Sequence, residues 1–509
     1  MIGNNEREID TENRNAGSKE QITEYLKCFA LFAEINFKIG PLWNYFEIGL
    51  NLAGAYSILK LRSALEIILN RKGEGLMEIK RDYYLEKLIR KKDNGLIKII
   101  TGIRRSGKSY LLNHLFYNHL LESGVDENHI IKFAFDSGRD LLKIGEDLMD
   151  LDVLSGERLV DPKKFLDYIM SKTKGGEKFY ILLDEVQLLA SFEQVLNGFL
   201  RQDNFDVYVT GSNSKFLSKD VITEFAGRGD EIHVMPLVFS EFLQTYDGDK
   251  EDAFADYQVY GGLPAQVLMK ADEDKMNYLK GQLENVYLRD IVHRYDIRLT
   301  AELEDLLNIL ASGTATLTNP TKLASTFSSI KKSKISANTI DKFIGYFEDA
   351  FMLKRVYRYD VKGRKYIGTP YKLYFEDVGL RNARLNFRQI EPTHLMENII
   401  YNELRYRGYM VDVGMVVKRE KDKNNKDIKK QLEVDFIANL GSKRYYIQSA
   451  YSLPSVEKMN QEKASLLTID DSFKKIIIVN DRVKPFLDKH GILTMNLFDF
   501  LLNKESLDF

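Results

Sequence analysis

The chain of 509 residues has a single cysteine, Cys28. A disulfide scaffold and a Cys-based zinc site are thereby excluded, and a reducing cytoplasm fits. Proline is scarce too, at nine residues, which excludes a proline-rich disordered chain. Charge of one sign is lacking, with 73 Lys and Arg against 75 Asp and Glu and a formal net charge of −2. A global polycation that coats nucleic acid is ruled out, although a local basic face is not. No long hydrophobic run exists. The most apolar stretch, 48–59 (IGLNLAGAYSIL), contains Asn51 and falls short of the roughly 18–20 residues of a membrane span. The amino terminus, MIGNNEREIDTENRN, lacks the basic start and apolar core of a signal peptide. A soluble cytoplasmic protein with no membrane partner is expected.

What is present is an ordinary globular composition, 44% hydrophobic and 29% charged, long enough for about three or four domains. Residues 1–76 hold apolar-periodic stretches and predict a helical N-terminal extension. From Met77 strands and helices alternate, with strands expected at 96–101, 130–135, 179–184, 207–210 and 231–235. Alternation of this kind predicts an α/β domain over 77–235, a parallel sheet with helices on both faces. Residues 236–300 read as a helical lid, and 301–385 as short helices followed by a strand hairpin. Residues 386–509 read as helix, three strands, helix, strand. The charged run 418–430 (KREKDKNNKDIKK) reads as a solvated hairpin tip.

Residues 102–109, GIRRSGKS, match G-x-x-x-x-G-K-[ST] in full, between an apolar strand and a helix. Gly102 and Gly107 let the backbone curl so that the N–H groups of Ile103, Arg104, Arg105 and Ser106 face phosphates. The helix beginning at Lys108, Ser109 and Tyr110 adds the positive end of its dipole. Lys108 is expected to bridge the β- and γ-phosphates of ATP, and Ser109 to ligate Mg²⁺. The strand FYILLD ends in Asp184 and Glu185. Asp184 is the expected second holder of Mg²⁺, and Glu185 the group that polarises the attacking water. A third strand runs into Ser212 and Asn213, either of which could orient that water. Arg228, in a loop before the last strand, could neutralise developing charge, in cis or from a neighbouring subunit of an oligomer.

GIRRSGKS, LLDEVQ, TGSNS, AGR followed by MPLVFSEF, YGGLP (260–264) and YLRDIV (287–292) together resemble a prokaryotic family of AAA-type ATP-binding proteins, related to archaeal ATPases. The resemblance runs from Met77 to about residue 500. It implies a P-loop NTPase domain, a helical lid, a winged helix over 301–385 and a C-terminal domain like PD-(D/E)xK nucleases over 386–509. Family members begin at the helix that starts with Met77. Two readings of 1–76 therefore stay open: a native extension, or upstream sequence ahead of a start at Met77.

The stretch 300–385 carries 14 Lys or Arg against nine Asp or Glu. Thr339 and Lys342 are expected on the exposed face of its second helix, and Lys362, Arg364 and Lys365 in the wing. DNA or a protein is the partner such a unit implies. In the nuclease-like domain, the resemblance places Glu397, Asp435 and Gln448 at the acidic positions. Gln448 stands where the second acid belongs and Ala450 where the lysine belongs, which favours a fold kept for binding or assembly. The expected function is a Mg²⁺-dependent ATPase that switches a DNA- or protein-engaging C-terminal half. An ATP-bound adaptor without turnover and an ATP-regulated nuclease are the alternatives.

Overall fold

A computed structural model of the chain describes residues 79–147, 159–211, 227–331, 334–421 and 427–508. The extension expected over 1–76 lies outside them. Helix α1 (Asp82–Arg90) buries Tyr84 and Leu88, four residues apart on one face, and leads into β1 (Ile97–Thr101). Helix α2 follows, α-helical over Lys108–Tyr110, π-helical over Leu111–Phe116 and α-helical again over Tyr117–Glu122. Then come β2 (Ile130–Ala134), α3 (Pro162–Lys172), β3 (Phe179–Asp184), α4 (Phe192–Phe199), β4 (Phe205–Thr210) and β5 (Gly229–His233).

The five strands are parallel throughout, in the order β2-β3-β4-β1-β5. This is the P-loop α/β layout expected for this segment. Every residue of β1 and β3 is buried, as a parallel sheet covered on both faces requires. Ile97, Ile99, Ile181 and Leu183 pack on one face with Phe165 of α3 and Leu196 of α4. Ile100, Leu182 and Tyr208 pack on the other with α1 and α2. The register sets β4 between the strand that feeds the glycine loop and the strand that ends in Asp184.

After β5 the chain is helical in α5 (Phe239–Phe242), α6 (Lys250–Tyr260) and α7 (Asp272–Gly281); α7 continues as a π segment, Gln282–Leu288, and an α segment, Arg289–Arg294. The next elements are α8 (Thr300–Ser312), β6 (Leu317–Thr318), α9 (Pro320–Thr326), α10 (Ala337–Asp349), β7 (Leu353–Asp360) and β8 (Lys365–Phe375). Strands β6 and β7 flank β8, both antiparallel to it. Helices α11 (Val378–Arg384) and α12 (Pro392–Tyr406) lead to β9 (Met410–Lys421), β10 (Asp427–Leu440) and β11 (Lys443–Ala450). The chain closes with α13 (Val456–Leu467), β12 (Lys474–Val479), β13 (Phe486–Leu487), β14 (Ile492–Asn496) and α14 (Leu497–Leu502).

These strands form one nine-stranded sheet, β13-β14-β12-β11-β10-β9-β7-β8-β6. It runs unbroken past residue 385 because β7 pairs in parallel with β9, Arg358 opposite Val413 and Asp360 opposite Met415. Phe239, Phe254 and Tyr257 of the helical segment share a core with Leu395, Ile399, Ile447 and Phe498. Among the described residues no helix is long and apolar enough to cross a membrane.

Candidate nucleotide site

The turn between β1 and α2 is possible only with glycine at its first position. Gly102 sits at φ 134°, and a Cβ there would lie 2.1 Å from the carbonyl oxygen of Val234. Gly107, at φ 94°, closes the loop before Lys108. Ile103 is fully buried, while Arg104, Arg105, Ser109 and Tyr110 are exposed. Tyr110 lays its ring 4.9 Å from that of His114. Lys108 is buried, and its Nζ donates to the carbonyls of Gly102 and Ile103, both at 3.0 Å. Burial pulls its pKa down to about 8, against the attraction of Glu185 and Asp184. Ser106 Oγ is buried with no hydrogen-bond partner. An N–H-lined loop, a helix amino terminus and an ammonium group make a donor set that fits a polyphosphate.

Two carboxylates face this loop from the tip of β3. Asp184 is buried, and accepts hydrogen bonds from the hydroxyls of Ser109 and Thr210 and, at 3.1 Å, from Asn113 Nδ2. Burial raises its pKa above the ordinary carboxylate value, against those hydroxyl hydrogen bonds. Glu185 follows with a left-handed backbone, φ 52°, uncommon for a residue other than glycine. Its N–H donates to Thr210 Oγ1 at 3.1 Å, and its carboxylate accepts from Gln187 Nε2.

Thr210, at the end of β4, thus ties the two acids together, and the sequence reading passed over it. Ser212 and Asn213, proposed for a role at this strand tip, lie outside the described residues. The available signal was a polar residue ending a buried strand next to the acidic one. Asp136 was also missed. It follows β2, where Phe135 N–H donates to Asp184 O at 3.0 Å, and burial together with Glu185 raises its pKa.

Arg228 needs correction in one respect. It immediately precedes β5, its carbonyl accepts from Ile97 N–H at 3.0 Å, and its Nη1 donates to Asn197 Oδ1 at 3.3 Å. Ile97 is the first residue of β1, so Arg228 lies at the opposite end of the sheet from the glycine loop. A five-residue strand spans about 16 Å, beyond an arginine's reach in cis.

The loop is also held from outside its own sheet. Ile103 packs among Tyr260, Leu263 and Tyr287 of the helical segment. Tyr287 Oη donates to Arg104 O at 2.6 Å. Buried Arg81, just before α1, donates to Ser106 O at 3.0 Å, Met235 O at 2.7 Å and Glu241 Oε1 at 3.0 Å. The same Glu241 oxygen accepts from Tyr406 Oη of α12 at 3.4 Å. At the other end of the loop, Thr101 Oγ1 lies 3.3 Å from His233 Nδ1. His233 Nε2 pairs with Glu376, which also accepts from Arg405 Nη1 of α12 at 2.8 Å. Burial opposes ionisation of Glu376, yet His233 and Arg405 hold its pKa at about 2.

The nuclease-like residues lie elsewhere, on the nine-stranded sheet. Glu397 of α12 and Asp435 of β10 are both buried, and Lys372 of β8 lies between them. Burial, with Glu397 alongside, raises the Asp435 pKa above the ordinary carboxylate value, against the attraction of Lys372. Gln448 accepts from Ser465 Oγ of α13 at 3.3 Å.

The sequence pattern of a family described as "AAA domain" matches residues 94–243, and that of a domain of unknown function matches 251–391. An uncharacterized protein of Haemophilus influenzae is 32% identical over 431 residues, 83% of this chain and 98% of that protein. One from Methanocaldococcus jannaschii is 28% identical over 407 residues, 76% of this chain and 82% of the relative. Cdc6p from Pyrobaculum aerophilum overlays on 64% of this chain and 96% of its own at 10% identity and a TM-score of 0.29, too distant to bear on function. With a glycine loop, an acidic strand tip and a parallel sheet inside the matched segment, the chain belongs to the family of the Haemophilus influenzae protein, and its 94–243 segment is a nucleotide-binding AAA domain of the P-loop ATPase type.

Proposed function

We propose that the protein binds ATP with Mg²⁺, hydrolyses it, and uses the cycle to switch a C-terminal half that engages DNA or another protein. The observation that carries this reading is the convergence of Lys108 and Ser109 with Asp184 and Glu185 where β1 and β3 end. The loop N–H groups take the phosphate oxygens, and Lys108 exchanges its two loop carbonyls for phosphate. Ser109 and Asp184 hold the magnesium ion, which withdraws charge from the phosphates when bound. Among the described residues no group of three or more His, Cys, Asp or Glu could hold a metal alone. Two protein ligands completed by phosphate oxygens and water is how Mg²⁺ is commonly held. Glu185 accepts the proton of the attacking water, and Thr210 fixes both the Asp184 carboxylate and the Glu185 backbone. Arg228 acts, in this reading, on the site of a neighbouring subunit.

The domain limits proposed are 77–235 for the ATPase unit, 236–300 for the lid, 301–385 for a winged helix and 386–509 for a nuclease-like domain. The order helix, strand, helix, helix, strand, strand from α8 to β8 supports the winged helix. Lys342, Lys362, Arg364 and Lys365 are exposed on it. Thr339 is half-buried and engaged with Ser336 in the cap of α10. Motion of the glycine loop reaches the C-terminal half through Arg81, Tyr287 and His233.

Phosphate release tests the reading. Glu185→Gln is expected to slow release by about 10²-fold or more while ATP stays bound, because the base is lost and the cradle is not. Lys108→Ala is expected to abolish release and to weaken binding. Bound ATP with no release from the unaltered protein would sink the hydrolytic reading and leave ATP as a structural ligand.

A further inference from the structure

We propose that Lys372 is the resident cation of the C-terminal carboxylate cluster, standing where a nuclease of this layout keeps its divalent metal. The inference is independent of the nucleotide reading.

Lys372 occupies an apolar stretch of β8, YKLYF (371–375), and is only 4% exposed. Its Nζ lies 2.7 Å from Glu397 Oε1, 2.7 Å from Glu433 Oε1 and 3.6 Å from Asp435 Oδ1. An ammonium group only donates, so Lys372 pairs closely with Glu397 and Glu433, while Asp435 feels its charge from beyond hydrogen-bond distance. Two further donors reach the cluster. Tyr374, two residues along the same face of β8, donates to the same Glu397 Oε1 at 2.7 Å, and Ser449 N–H donates to Asp435 Oδ2 at 2.8 Å. Asp435 is brought here by a register shift in the β9–β10 ladder between Val434 and Ile437, a bulge of the kind that re-aims a side chain.

A metal ion would need these oxygens turned to one point, and Nζ already occupies it. Glu397, Glu433 and Asp435 do not make a metal-holding group in their observed positions. Gln448 points its amide oxygen at Ser465 and adds no charge to the cluster. Removing Lys372 would leave two buried acids uncompensated, a state far costlier than the pairing itself. Nor does burial suit Lys372 to act on a phosphodiester, since only Glu433, at 30% exposure, faces solvent. The cluster fastens the β8 strand to α12 and β10 and does not equip this half to cut a phosphodiester.

The test uses the full chain without nucleotide, in an Asp184→Asn background, with Mn²⁺ binding read by electron paramagnetic resonance. The parent is expected to bind no Mn²⁺ tightly. Lys372→Met is expected to gain one Mn²⁺ per chain and to lose it when Asp435→Asn is added. A folded Lys372→Met that gains none overturns the proposal. So does a parent that binds Mn²⁺, or cuts duplex DNA with it, in a manner lost in Asp435→Asn. That last comparison needs no Lys372 variant and decides the matter if Lys372→Met does not fold.

Discussion

Lys372 has a counterpart in the first sheet. Lys98 is the second residue of a fully buried strand, IKIIT, and pairs there with Asp206 of β4, while also donating to Leu96 O at 3.0 Å. Asp206 Oδ2 accepts from Tyr208 Oη at 2.8 Å and from Asp93 N–H at 3.1 Å. Burial lowers the Lys98 pKa against the pull of Asp206. Asp206→Asn is therefore expected to cost about 3–5 kcal/mol, because it strands a buried ammonium. Adding Lys98→Met should recover most of that loss. Chemical denaturation of the three variants measures it, and an Asp206→Asn protein as stable as the parent would refute the coupling. In both strands the lysine was visible in the sequence as a charge among apolar neighbours. Its partners were not, because Asp206 lies 108 residues from Lys98, and Glu397 lies 25 residues from Lys372 on a helix rather than a strand.

At the scale of the element, the glycine loop was the most legible part, because its requirements are local: two glycines, a preceding strand, a following helix. β3 was equally plain, an apolar run ending in two acids. The loop's outer supports could not be read this way. Arg81, Tyr287 and Glu376 act through contacts across 25, 183 and 143 residues. The loop also carries a pH signature. With Lys108 held at about 8 when free, bound phosphate must raise its pKa, and ATP then binds more tightly to the protonated form. Affinity is expected to stay flat below pH 8 and to fall as pH rises above it, by at most about tenfold per unit. Titration of a fluorescent nucleotide between pH 7 and 10 checks this, and Lys108→Met should bind weakly and without the slope. An unchanged affinity across that range in the parent would contradict it.

On the scale of the whole molecule, the succession of strands and helices along the chain could be anticipated, but the seam between the halves could not. Parallel pairing of β7 with β9 leaves no mark in the sequence, since nothing in hydrophobic alternation names a strand's neighbour. The shared core of Phe239, Phe254 and Phe498 is invisible for the same reason. A fragment ending at residue 385 would expose both that core and the open edge of β7. It is expected to aggregate, as judged by light scattering; a monodisperse fragment would show that the seam is dispensable. Within the intact chain, the two ends of the glycine loop are wired to adjacent residues of α12, Thr101 through His233 and Glu376 to Arg405, and Ser106 through Arg81 and Glu241 to Tyr406. Neighbouring residues on a helix point about 100° apart. In the proposed switch, an equal pull on both ends would therefore slide α12, whereas an unequal pull would apply a torque, so the helix would distinguish a loop that tilts from one that merely shifts.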